Sequence, residues 1–166
     1  MALEDRLWNE DALARYGGDR AAQQGALLEQ YKLYVEMADR VSQRRGLTNT
    51  FFLTLNTAIF ALVAALRSGR PEQPWWLAFP LTALLGQCLA WFWLVRSYRL
   101  LNTAKYEVVR LLETRLPASP YARGEWRALD EGKGLRRYWP LTYIETCIPI
   151  LFALTYLAAF VAVLSA

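Results

Sequence analysis

Asn49, Thr50, Thr54, Asn56 and Thr57 stand inside an apolar run, Leu47 to Leu66, that carries no charge. Amides and hydroxyls placed in hydrocarbon need protein partners, because no water reaches them there. Asn49 and Asn56 are seven residues apart and so share one face of a helix. With Thr54 and Thr57 they either hydrogen-bond to neighbouring helices or form a polar inner wall around a pore or cavity. Glu145 is the one acid of the last apolar run, Leu141 to Ala166. An acid within a span is a functional candidate by default. Its place near the start of the run suits a salt bridge with Arg96 or Arg99, at similar depth, better than a proton relay. Cys88 and Cys147 have no ligand cluster around them and read as small apolar residues. The chain has no His, which removes the commonest general base and the commonest metal ligand. No phosphate loop, nucleophile elbow or paired-carboxylate pattern is present. The residues therefore point to no catalytic, cofactor-binding or metal site, and to a protein that is not an enzyme.

The elements that hold these residues follow from how the apolar residues are blocked. Of 166 residues, 55% are hydrophobic and 14% aromatic, which excludes a disordered chain. Two Cys exclude a disulfide scaffold. Three windows, 47–66, 75–95 and 141–166, are almost free of charge. Each is long enough for a helix rising about 1.5 Å per residue to cross a ~30 Å hydrocarbon core. The expected fold is an all-α membrane protein with three transmembrane helices and cytoplasmic helical extensions. Trp75, Trp76, Trp91, Trp93, Tyr138, Trp139 and Tyr143 fall where interfacial aromatics belong. Lys and Arg number seven before the first window, two in the external hairpin 67–74 and ten in the connection 96–140. The positive-inside rule then places the N-terminus and the connection in the cytoplasm and Ala166 outside. That connection carries +5, which suits anionic lipid at the cytoplasmic face; nothing in the pattern suits nucleic acid.

Helices are expected to continue beyond the membrane. After an N-terminal cytoplasmic segment, 1–25, with a loop signal at Gly17-Gly18, a cytoplasmic helix over 26–46 shows a seam at Leu27, Tyr31, Tyr34, Ala38 and Val41. A second helix over 96–116 continues the rhythm Leu94, Tyr98, Leu101, Val108 and Leu112, with Lys105 in the missing slot. Spacings of three and four are those of packed helices. The two arms are expected to pair as an antiparallel hairpin, with Asp39–Arg99 and Glu36–Lys105 as candidate salt bridges and solvated surface charges as the alternative. An elbow over 117–140 is punctuated by Pro and Gly, and Ser119-Pro120 can open a short helix there.

Ala78, Thr82, Gly86 and Ala90 recur every fourth residue in the second window, as Ala158, Ala162 and Ala166 do in the third. Such stripes let helices approach closely in lipid. The stretches YKLYVEMADRVSQRRGLTNTFF (31–52), RSYRLLNTAKYEVV (96–109), LPASPYARGEW (116–126) and YWPLTYIE (138–145) together resemble the RipA family of small octameric bacterial inner-membrane proteins, over roughly residues 28–157. The resemblance implies a ring-like homo-octamer in the cytoplasmic membrane and brings no catalytic residues. Three readings of function follow: a homo-oligomeric scaffold or channel-like assembly, a membrane-disrupting defence effector or its partner, and a lipid-modifying enzyme built on Glu145.

Overall fold

The computed structural model describes residues 3–9, 11–65, 77–128 and 141–165, all of it helix, turn or loop. Two short helices, α1 (Leu3–Leu7) and α2 (Ala12–Arg15), open the chain. Gly17 and Gly18 follow with φ of 60° and 82°, a left-handed backbone that glycine adopts without Cβ strain. The N–H of Gly18 closes α2 on the carbonyl of Leu13. Asp19 then caps the next helix: its Oδ1 accepts the N–H groups of Ala21 and Ala22 at 2.8 and 3.2 Å. A cap of this kind contributes about 1 kcal/mol.

Helix α3 runs unbroken from Arg20 to Ala65, 46 residues, more than twice the ~30 Å hydrocarbon thickness at about 1.5 Å per residue. Gly46 does not interrupt it. Helix α4 (Ala78–Glu113) is 36 residues long. A π-helical turn (Pro120–Glu125) and a short α5 (Trp126–Ala128) follow, beginning where Ser119-Pro120 is expected to open a helix. Helix α6 (Leu141–Leu164) carries Pro149 inside it. Among the described residues, α4 and α6 contain stretches long and apolar enough to cross a membrane. Residues 47–65 form the second half of α3, and the 47–66 window is made the most polar of the three by its Asn and Thr residues. The belt residues Trp75, Trp76, Tyr138 and Trp139, the hairpin 67–74, the elbow from 129 onward and Ala166 lie outside the described residues.

The chain forms two compact units. The first takes in Met1–Ser42 and Leu100–Trp139, the second Gln43–Arg99 and Pro140–Ala166. In the first unit α3 buries Ala38 and Val41 while α4 buries Val109 and Leu112. Leu27, Tyr31 and Tyr34 are half-buried on the same stripe. The α4 seam is displaced from the expected one: Leu101 is 47% exposed and, in the second unit, Leu94 is 42% exposed. Asn102 takes the inward place of Leu101, and its amide nitrogen donates to Ser42 Oγ at 3.2 Å. Apolar residues surround α4 on most sides, so a heptad drawn on hydrophobicity alone chooses between two stripes. The hydrogen bond to Ser42 selects the one that holds Asn102.

The second unit is built around Trp91, which is fully buried together with Val95. Its ring stacks on Phe52 at 5.6 Å and meets Phe152 at 6.0 Å. Cys88, Pro149 and Tyr156 complete this core. Cys147 is exposed.

Candidate functional site

The polar residues of α3 are consumed inside the second unit. Asn49 Oδ1 accepts the indole N–H of Trp91 at 2.9 Å. Asn56 is completely buried. Its Nδ2 donates to the Phe52 carbonyl at 2.8 Å, and its Oδ1 accepts the Tyr156 hydroxyl at 2.9 Å and the Cys88 thiol at 3.8 Å. One amide thus ties α3 to both α4 and α6. Thr54 and Thr57 are exposed. The hydroxyl of Thr57 returns to the Leu53 carbonyl at 2.8 Å, as Thr50 does to Gly46, which is the usual way a helix satisfies a hydroxyl with no outside partner.

Tyr156 and Arg45 enter the unit's polar contacts although the sequence pattern does not single them out. Glu145 pairs with Arg45, not with Arg96: Arg45 Nε lies 3.2 Å from Glu145 Oε2, with both side chains 19% exposed. The N–H is not aimed at that oxygen, so the pair acts through charge. Arg96 instead sits over the Trp93 ring at 6.0 Å. Arg45 reads in sequence as one more juxtamembrane base, and only the fold reveals that α3 brings it to the start of α6.

The stripe Ala78, Thr82, Gly86 and Ala90 is exposed. A Cβ built on Gly86 meets nothing within 4 Å, and Thr82 bonds back to the Ala78 carbonyl at 2.8 Å. Ala158 and Ala162 are exposed as well.

Asn56→Ala should destabilise the second unit by about 1–2 kcal/mol, the upper part of the range for hydrogen bonds between helices in lipid. A detergent-denaturation midpoint measures this. Cysteine at position 56 carrying a spin label should resist a lipid-phase relaxation agent, and strong relaxation there would place the residue against lipid.

The first unit holds a cluster that sequence reasoning misses. Glu113, the last residue of α4, is 1% exposed. Its Oε1 accepts the Tyr31 hydroxyl at 3.1 Å and the Tyr121 N–H at 3.0 Å, and its Oε2 accepts the Ala122 N–H at 2.9 Å. The carboxylate caps the π-helical turn, where unpaired N–H groups attract negative charge. The Gly124 N–H reaches back to Ser119 O at 3.2 Å in that turn. No spacing rule flags a lone Glu whose partners lie eight and nine residues onward.

Burial holds the Tyr31 phenol well above its ordinary value, and the Glu113 carboxylate adds to this as both acceptor and charge. A phenol whose folded value is raised contributes stability below its unfolded value, about 10, and loses it as pH rises beyond that. Tyr31→Phe is therefore expected to remove part of the alkaline loss of stability of the first unit, read from melts between pH 8 and pH 11 (a span of roughly three units about the ordinary phenol value). An unaltered slope would show that the phenol does not report on folding.

Of the expected hairpin pairs, Glu36 bonds within its own helix to Arg40 at 2.6 Å. Lys105 lies over the Tyr34 ring at 5.3 Å. The i, i+4 geometry and the aromatic face each satisfy a charge locally, so neither needs the other. Asp39 and Arg99 fall in different units, and their pairing stays an expectation.

A family model, the Octameric membrane protein family (8xMP), matches residues 28–165. The chain belongs to this family. No curated protein and no solved structure matches the chain significantly. Octameric membrane protein membership implies a membrane assembly of eight copies, and the match spans α4, α6 and nearly all of α3. It carries the family without the finer name RipA.

Proposed function

We propose that this protein is a homo-octameric ring in the bacterial cytoplasmic membrane that works as a scaffold, with neither catalysis nor a cofactor. Each protomer contributes three spans: the second half of α3, the first part of α4, and α6. The N-terminus and the 96–140 connection lie in the cytoplasm, with their basic groups against anionic headgroups, and the C-terminus lies outside.

The observation that carries this reading over a channel is the inward use of the polar groups. A conducting wall needs polar atoms aimed at the axis. Asn49 and Asn56 are spent on Trp91, Cys88 and Tyr156, and Thr50 and Thr57 bond back to their own helix. The outward side chains are Phe51, Leu53, Phe60 and Leu62 with Thr50, Thr54 and Thr57 among them, so the outward face is dominated by large apolar groups. The octameric family supports the subunit number. The exposed small-residue stripe on α4 supports close contact between protomers.

The test is the mass and symmetry of the detergent-purified particle, together with ion flux after reconstitution into vesicles. The expected result is eight copies around one axis with flux at the level of empty vesicles. Flux well above that level would favour the channel, and a dimeric or dihedral particle would sink the ring. Gly86→Leu should shift the particle to smaller species without altering the protomer fold, because position 86 is exposed and a Cβ there meets nothing within 4 Å; unchanged mass would remove the stripe from the interface.

A further inference from the structure

The first unit contains a groove of about 810 Å³, within the range of roughly 300–1,000 Å³ in which small-molecule sites fall. Its walls are aromatic: Tyr31 comes from α3, Tyr106 from α4 and Tyr121 from the π-helical turn. The rings of Tyr106 and Tyr121 stand 5.7 Å apart at 60°. Glu113 Oε1 accepts both the Tyr31 hydroxyl and the Tyr121 N–H, so one buried carboxylate fixes two of the three walls. Val35 and Pro120 add apolar surface. The rest of the lining is charged, with Glu36, Asp39 and Glu125 against Lys32. Lys32 is held by Glu29 at 2.7 Å. Glu36 meets Arg40 through Oε1 at 2.6 Å, and a carboxylate has a second oxygen with which to accept.

We propose that this groove binds a free organic polycation, an alkyl amine with two or three ammonium groups joined by methylene chains. Three carboxylates against one ammonium that is already paired make the lining acidic, which disfavours an anion. Tyr rings attract ammonium groups through their quadrupole, and Val35 and Pro120 suit methylenes. The first unit already seats cations on aromatic faces: Lys105 lies over Tyr34 at 5.3 Å and Arg115 over Trp8 at 3.4 Å. A metal ion fits less well, because among the described residues no three acids converge as a metal site. The charged groups are instead strung along the groove, with α3 advancing about 10 Å from Lys32 to Asp39. Charge spread along a flexible chain matches that lining better than a point charge does. The site lies within the first unit alone and depends on neither the ring nor the scaffold reading.

Spermidine is the probe, titrated into the full-length protein in detergent at fixed ionic strength and followed by calorimetry. The expected result is one site per protomer that magnesium at equal ionic strength does not displace. Tyr106→Leu should weaken binding about threefold, the loss of one aromatic face at an open site. Asp39→Asn with Glu125→Gln should weaken it about tenfold, through two solvent-accessible charge pairs. Glu4→Gln with Glu107→Gln removes as much exposed charge outside the groove lining and should leave binding unchanged. All substituted side chains are exposed, so circular dichroism should show wild-type helix content. If Tyr106→Leu loses helix, the Asp39 and Glu125 variant decides alone. The absence of saturable spermidine binding overturns the proposal. So does equal weakening in the groove and control variants, or displacement by magnesium, since either would reduce the binding to diffuse attraction. Saturable binding of a lysine-rich peptide without binding of spermidine would make the groove a protein-docking surface and overturn the proposal as well.

Discussion

Glu113→Ala is expected to melt the turns from Pro120 to Ala128 while α3 and α4 remain helical. The substitution removes three accepted hydrogen bonds at once, from Tyr31, Tyr121 and Ala122. Each donor left unpaired away from water costs about 1–3 kcal/mol. Water reaches the partly buried donors, so the net loss should be about 2–4 kcal/mol. Glu113→Gln keeps one oxygen acceptor and turns the other into a donor facing an N–H, so its loss should fall between wild type and Ala. Amide hydrogen exchange at Tyr121 and Ala122 is the direct measurement, with a denaturant midpoint beside it. Unchanged protection at both amides would show that the π-helical turn stands without its cap.

Removing one member of the Arg45–Glu145 pair should cost more than removing both. At 3.2 Å and 19% exposure, each charge is partly withdrawn from water and relies on the other. Breaking a fully buried pair costs about 3–5 kcal/mol, while replacing both members by apolar groups is often neutral. Residual solvent access lowers the figure, so Arg45→Met alone is expected to cost about 2–3 kcal/mol. Arg45→Met with Glu145→Met should recover most of that loss, with stability read from detergent-denaturation midpoints of the purified protein. Losses that simply add would mean that the two charges act independently.

The apolar stretches of α4 and α6 were legible because a charge-free run of about twenty residues is what a helix crossing hydrocarbon requires and what a half-solvated helix cannot tolerate. The α3 seam was legible because Leu27, Tyr31, Tyr34, Ala38 and Val41 recur at spacings of three and four, with Glu29, Glu36, Asp39 and Arg40 outside it. On α4 the same rule fails. Leu94, Leu100 and Leu101 are exposed while Val95, Asn102 and Val109 turn inward, because apolar character does not distinguish a face in contact with a neighbour from one in contact with a helix of the same chain. Ionic partners were the least legible. Glu145 could meet any base at its depth, and choosing Arg45 over Arg96 depends on the rotation of α3, which a heptad pattern leaves open. Glu113 was hidden for a different reason: its partners are backbone N–H groups, which no residue type announces.

The clasp of Asn56 on Tyr156 and Cys88 bears on a problem of degeneracy. Greasy rods in lipid slide and spin past one another through many arrangements of nearly equal energy, since every face is compatible with the solvent. A slip of one residue along α3 turns its side chains by about 100°. On the proposed three-span arrangement it would swing the Asn56 amide out of its pocket toward hydrocarbon, where its donors find nothing. Asn49 on Trp91, one heptad away, penalises the same slip a second time. Together the two amides act as detents that fix the axial position and the azimuth of the helix before any neighbouring copy arrives, so that each subunit presents the same contour to the next.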